Sequence, residues 1–473
     1  MTRYKLLPLA FCGVLLTACS SDDPVAESDG VLTWRSCPED DSLDCATLRV
    51  PMNYGDDRAG MIDIALNRLP AIQQPSTGAL LFNPGGPGAS GLEVLQILQE
   101  VDSVPDAIRQ HHDLIGFDPR GVGESTPIDC DTSDVDLLGD YLVDATAIEA
   151  FVEQSAELAA RCLEQEGDYL LQLGSMNVVR DMDSIRQSLD LPRLDFIGYS
   201  YGSRLAALYL QTYPDTSGAV ILDGSLRPDS SVGALAEGAL SAMQRNLEAL
   251  LQDCTISEPD CDPARLQDLL IEKVDVLLRE NREAELALLG ELVVEASQNP
   301  ALGELLTAPL VSYLMRGDRS GLELLVQLLE LDIDDGAEDD TLIHKAILCA
   351  DDATRPTAEQ LSASLPTFNA LSDLFAEAYI GQAGSCAGWP ESIDPLSPIA
   401  TGTAPVALVI GGTSDAQTPL VWSEEMARAI GGHYLASSHQ GHTSVFNGQN
   451  DCVDSIVTTF LLDGLLPGAA DCL

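Results

Sequence analysis

Leu194-Asp195-Phe196-Ile197-Gly198-Tyr199-Ser200-Tyr201-Gly202-Ser203 is the stretch on which the reading of this 473-residue chain turns. Leu194 to Gly198 is a short apolar run of strand length, and Ser203 to Tyr213 carries the apolar spacing of a helix. Between them, Gly198-Tyr199-Ser200-Tyr201-Gly202 matches G-x-S-x-G in the strand-to-helix setting that a nucleophile elbow needs. The two glycines let backbones pass closely where the strand turns sharply into the helix. The turn lifts the serine hydroxyl clear of the sheet and close to the helix N-terminus, whose partial positive charge favours an oxyanion. Ser200 is therefore the candidate nucleophile, and a serine that merely shapes a turn is the alternative.

Working outward, short apolar strands alternate with helical patterns. Thr47–Pro51, Ile62–Asn67, Leu80–Phe82, Asp113–Asp118 and Gly218–Asp223 read as strands. This alternation predicts an α/β fold, a mostly parallel sheet flanked by helices on both faces. The pattern breaks over 228–398, where long helical stretches dominate, and strand signals return at Val406–Ile410 and His433–Ala436. The expected layout is a first core part over 31–227, an inserted helical cap over 228–398 and a C-terminal core part over 399–473. A cap between two sheet halves would shape access to the site.

A serine nucleophile needs a base, and the base needs an orienting acid. There are only six histidines. His442 and its rival His439 lie after the last strand signal, and Gly441 would let the loop turn close to the nucleophile, which favours His442. The acid should follow a strand between serine and histidine. Asp415 does so after Gly411-Gly412-Thr413-Ser414, with Asp223 as the rival. Asn83-Pro84-Gly85-Gly86-Pro87-Gly88 follows an early strand and suits an oxyanion hole, with donors expected from the amides of Gly86 and Tyr201. It lacks the Gly-Lys-Ser/Thr of a phosphate loop. No Cys/His cluster has zinc-site spacing, so neither metal nor cofactor is expected.

The first residues read as targeting rather than fold. Arg3 and Lys5 precede the apolar run Leu6–Leu16, and Leu16-Thr17-Ala18-Cys19 with the polar Ser20-Ser21-Asp22-Asp23 resembles a bacterial lipobox. That resemblance implies a signal peptide over 1–18, acylation of Cys19 and a tether over 19–30, with an ordinary signal peptide as the alternative. Export to the cell envelope follows, on the periplasmic or outer-membrane side. Of the twelve cysteines, Cys12 and Cys19 fall in or next to the leader, and an even set remains. Pairing neighbours gives 37–45, 130–162, 254–261, 349–386 and 452–472. The net charge of −51 argues against nucleic acid and anionic membrane surfaces as partners, leaving a lipid anchor as the expected membrane contact.

Together these residues resemble the prolyl iminopeptidase and tripeptidyl aminopeptidase branch of the α/β-hydrolase fold. Asn83–Gly91 is similar to its oxyanion motif, Asp118-Pro119-Arg120-Gly121-Val122-Gly123-Glu124-Ser125 to its next turn, and Gly198–Gly202 to its elbow. Gly412–Pro419 and Gly441-His442 resemble its acid and base segments, and the Cys349, Cys386, Cys452 and Cys472 segments resemble secreted tripeptidyl aminopeptidases. The resemblance implies release of short peptides or single residues from free peptide N-termini, with cap acids holding the substrate ammonium. Asp351 in Ala346–Asp351 is the candidate for that role. The alternatives are a carboxylesterase on the same fold and a binding protein without activity.

Overall fold

The elbow strand lies inside a nine-stranded sheet of order β1-β2-β3-β5-β4-β6-β7-β8-β9. The computed structural model describes residues 32–473, apart from 39, 133–141, 143, 229–230, 258–260, 330–337, 400–406, 449 and 467–470. The expected signal peptide, tether and Cys19 lie outside the described residues. The strands are β1 (Arg35–Ser36), β2 (Asp44–Pro51), β3 (Met61–Leu69), β4 (Gly78–Asn83), β5 (His112–Phe117), β6 (Leu194–Tyr199), β7 (Ser217–Asp223), β8 (Ala407–Gly412) and β9 (His433–Ser437). β1, β2, β3 and β5 pair antiparallel, and β5, β4, β6, β7, β8 and β9 pair parallel.

Alternation along each strand builds two cores. Leu80, Phe82, Ile197, Tyr199 and Ile410 face a layer formed by α1 (Gly91–Glu100), α2 (Asp106–Arg109) and a C-terminal helix over Asp451–Asp463. Leu81, Phe196, Val220 and Val409 face the opposite layer. There α3 (Ala145–Glu166), α4 (Ser175–Ser188), α5 (Tyr201–Thr212) and a helix over Leu420–Ile430 supply apolar partners.

Between β7 and β8 run α6 (Val232–Gln252), α7 (Cys254–Ser257), α8 (Pro263–Arg279), α9 (Glu283–Gln298), α10 (Pro300–Arg316), α11 (Ser320–Leu329), α12 (Glu338–Asp351), α13 (Ala358–Leu371) and α14 (Ala376–Ala383). Most of them share an apolar cluster of their own. The two clusters do not divide cleanly at 227/228. Ile148 and Phe151 of α3 join the cap cluster, while Leu158, Ala159 and Cys162 of the same helix join the sheet core. Leu342, Ile343, Ala346 and Ile347 of α12 pack into the sheet core although they fall within 228–398. Helical period reveals an apolar face but not which layer covers it.

The disulfides are Cys37–Cys45, Cys130–Cys162, Cys254–Cys261, Cys349–Cys386 and Cys452–Cys472, the pairing expected from neighbours in sequence. The turn after β5 is fixed differently. Arg120 is fully buried and forms a bidentate pair with Asp181 of α4, both bonds at 2.7 Å. It also donates to the carbonyls of Pro51, Met52 and Gln172. Breaking such a pair from one side leaves a buried, uncompensated charge. Arg120→Met should therefore lower the unfolding free energy by about 3–5 kcal/mol, read by denaturant melts, because Asp181 stays buried without its partner.

Candidate active site

β6 ends at Tyr199, and the chain turns into α5 through Ser200 alone, at φ 52° and ψ −122°. A non-glycine residue there is strained and must be held by its surroundings. The Ser200 amide donates to the Asp223 carbonyl at 2.9 Å. A Cβ on Gly198 would run into the Gly202 carbonyl, and one on Gly202 would sit 2.6 Å from the Asn83 carbonyl oxygen. Only glycine at both positions allows this crossing.

Asn83 ends β4 next to Gly198, its register partner on β6. The Gly85 backbone then lies so close to the elbow that a Cβ would be 2.9 Å from the Tyr201 amide nitrogen and 3.0 Å from Ser200 Cβ. Pro84 and Pro87 carry no N–H, and the Gly85 amide donates to Asn83 Oδ1 at 3.1 Å. That leaves the Gly86 amide as this loop's candidate donor, to act with the amide of Tyr201. His344 of α12 lies against this loop. Its Nδ1 donates to the Pro87 carbonyl at 3.0 Å, since a carbonyl only accepts. Burial lowers the His344 pKa, only partly offset by that bond, and favours the neutral ring.

Asp415 and His442 arrive from the ends of β8 and β9. His442 Nδ1 lies 2.8 Å from Asp415 Oδ2. Asp415 also accepts from the amides of Gln417 and Thr418 on Oδ1 and from Thr418 Oγ1 on Oδ2, so its carboxylate is fixed before it meets the ring. The other ring nitrogen, His442 Nε2, is buried and has no hydrogen-bond partner among the described residues. The imidazole packs against Gly224, where a Cβ would lie 3.1 Å from His442 Cε1. Gly224 follows Asp223, whose carbonyl holds the Ser200 amide. Burial disfavours the His442 cation, but the charge and hydrogen bond of Asp415, with a further contribution from Asp223, outweigh it and raise the pKa above the ordinary imidazole value.

The rivals have other partners. Asp223 Oδ2 accepts from the amides of Ser444 and Val445, both at 2.7 Å, and clamps the backbone after His442. Burial pushes its pKa up to about 6 despite those bonds. Tyr199 Oη donates to the Val445 carbonyl from the same side. His439 is buried against Gly412, its Nδ1 next to Ser437 Oγ at 3.0 Å, and burial lowers its pKa.

Asp351 requires a correction. It is 4% exposed, and its oxygens are occupied by the Ser175 amide at 2.7 Å, Ser175 Oγ at 2.6 Å and Tyr201 Oη at 2.9 Å, with Arg204 Nη1 at 3.7 Å. A carboxylate satisfied by internal donors and a buried guanidinium does not present itself to a substrate ammonium. Sequence reasoning also missed Thr418, His344 and the clamp role of Asp223. Thr418 alone carried a signal, standing three residues after Asp415, the reach of an Asx-type turn.

Comparison with known proteins agrees with this architecture. The TAP-like protein family model matches residues 372–472, and the alpha/beta hydrolase fold model matches 78–257. The chain is 31% identical over 471 residues to carboxylesterase B of Mycobacterium tuberculosis, covering 92% of this chain and 88% of that one. It is 28% identical over 456 residues to the serine protease Hip1 of the same species, covering 89% and 86%. To the tripeptidyl aminopeptidase of Streptomyces lividans it is 27% identical over 459 residues, covering 92% and 84%. By these matches the chain belongs to the α/β-hydrolase serine peptidase family of the TAP-like, tripeptidyl aminopeptidase-related proteins, and it is a serine hydrolase.

Proposed function

We propose that this hydrolase is an exported aminopeptidase that releases tripeptides or single residues from free peptide N-termini through Ser200, His442 and Asp415. The observation that carries the reading is the Asp415–His442 hydrogen bond, on a ring that packs against Gly224, next to the Asp223 carbonyl that holds the Ser200 amide. In this mechanism His442 Nε2 takes the Ser200 hydroxyl proton as Oγ attacks the scissile carbonyl. The amides of Gly86 and Tyr201 receive the developing oxyanion. Collapse of the tetrahedral intermediate expels the amine, which takes the proton from His442, and leaves an acyl-enzyme. Water then attacks the ester with His442 again as base, releasing the acid and free Ser200. Asp415 keeps the imidazole proton on Nδ1 and stabilises the imidazolium.

Similarity to the Streptomyces enzyme favours the aminopeptidase. The 31% identity to carboxylesterase B supports esterase action as a second reading. The deciding measurement is a pair of tripeptide anilides, one with a free N-terminus and one acetylated. Acetylation is expected to lower kcat/KM by about 100-fold, the scale set by losing a charged partner in a dry site. Equal rates would favour the esterase or endopeptidase reading.

The base must be neutral to act, so kcat/KM should rise with pH through the pKa of His442. Because that pKa is raised, the acid limb should have its midpoint above that of an ordinary imidazole. Asp415→Asn should lower kcat by about 10⁴-fold and move the remaining midpoint down, since the raising charge is gone. Ser200→Ala should abolish fluorophosphonate labelling. A larger loss in Asp223→Asn than in Asp415→Asn would reassign the acid.

We also infer that the protein is lipid-anchored through Cys19. No helix among the described residues is long and apolar enough to cross a membrane. Mass spectrometry of the mature protein should find an acylated N-terminal Cys19. A water-soluble mature protein starting elsewhere would refute the anchor.

A further inference from the structure

The residue after the nucleophile is held from a direction that the reaction does not require. Tyr201 begins α5, and its ring reaches away from Ser200 into a closed polar cluster. There its hydroxyl donates to Asp351 Oδ2 at 2.9 Å and lies against Ser175 Oγ. Ser175 begins α4, and both its amide and its hydroxyl donate to Asp351. Asp351 is the last residue of α12. Arg204, one turn along α5, puts Nη1 3.7 Å from the same carboxylate and its guanidinium 5.5 Å from the Tyr201 ring centroid. Tyr201, Ser175, Arg204 and Asp351 are each 4% exposed or less. Burial keeps the Tyr201 phenol neutral, so it remains a donor.

We propose that Asp351 is a positioning residue for the oxyanion hole, fixing the Tyr201 amide by holding the far end of its side chain. The need for such a hold comes from Ser200, whose left-handed backbone orients the peptide leading into Tyr201 and persists only where its neighbours over-determine it. On one side the Asp223 carbonyl holds the Ser200 amide. On the other, the Tyr201 side chain is the lever, and Asp351 with Ser175 is its socket. Cys349, two residues before Asp351, is bonded to Cys386, which anchors the socket on α12. Oxyanion donors act through placement, and a shift of about 1 Å costs on the order of 100-fold in rate.

This inference rests on the reading of Ser200 as nucleophile and the Tyr201 amide as oxyanion donor. The test uses the full chain with Asp351→Ala and Tyr201→Phe, assayed on a free-amine tripeptide anilide and on an aryl acetate that has no amine. Both variants should lose about 10- to 100-fold in kcat on both substrates, with KM within about twofold. Affinity for a peptide aldehyde, which forms a tetrahedral adduct, should fall in parallel, while affinity for the product tripeptide should not. Tyr201→Phe leaves Asp351, Ser175 and Arg204 together, so it decides the matter if Asp351→Ala does not fold. A loss confined to the free-amine substrate would make Asp351 an amine anchor and overturn the proposal. So would unchanged kcat and aldehyde affinity with only a lower Tm. If Ser200→Ala still turns over, the underlying reading fails; if it is dead while Tyr201→Phe is normal, this inference alone fails.

Discussion

The structure depends on one backbone constraint, the reversal of the chain from β6 into α5 across the single residue Ser200. At φ 52° and ψ −122° this residue sits in a sparsely populated region that costs roughly 1–3 kcal/mol, and the surroundings must supply the hold. They do so by closeness. Gly85, Gly198, Gly202 and Gly224 occur where a Cβ would strike backbone or the His442 ring. The elbow is therefore a junction of four chain segments packed at backbone distance. β4 and β6 are also neighbours from which the chain proceeds in opposite directions across the sheet, so the crevice at their C-terminal ends is a topological switch point.

Register carries this constraint to the acid and base. Asn83 lies opposite Gly198, Tyr199 opposite Asp223, Asp223 opposite Ile410, and Gly412 opposite Ser437. Loops leaving these strand ends emerge along one edge, which is why groups distant in sequence meet. Two carboxylates then face the same histidine segment with different tasks. Asp415 bonds the ring. Asp223 bonds the two amides that follow Thr443, and burial raises its pKa to about 6, so part of its charge is lost in mildly acidic solution. Loss of that charge weakens the clamp on the loop and removes one of the influences that favour the His442 cation.

The elbow, the glycine loop and the ends of β8 and β9 were legible in the sequence because steric demands act there on residue identity. Only glycine fits at 198 and 202, and an acid in the turn after a strand is placed to meet a loop histidine. Element types were legible from period, as with β4 and α5. The layer assignment of α3 and α12 was not, because each has an apolar face that either core could cover. The partners of Asp351 were not legible either. Its neighbours in sequence are ordinary helix residues, and its partners Ser175, Tyr201 and Arg204 come from helices more than a hundred residues upstream.

That misreading has a general cause in this chain. With 75 acidic residues, the presence of a carboxylate carries little information, and its partners carry nearly all of it. Several buried aspartates share one pattern: each gathers donors from loops and helix starts. Asp118 accepts from Ser90 Oγ and from the amides of Leu92 and Glu124, joining the start of α1 to the turn after β5. Asp181 accepts from Arg120 and Tyr54. Asp223, Asp351 and Asp415 do the same around the elbow, Tyr201 and His442. An aspartate is short and presents two acceptor oxygens, so it ties several N–H and O–H groups at one point with little side-chain freedom to lose. The exposed acids set the charge of −51, whereas these few hold the loops that make the site.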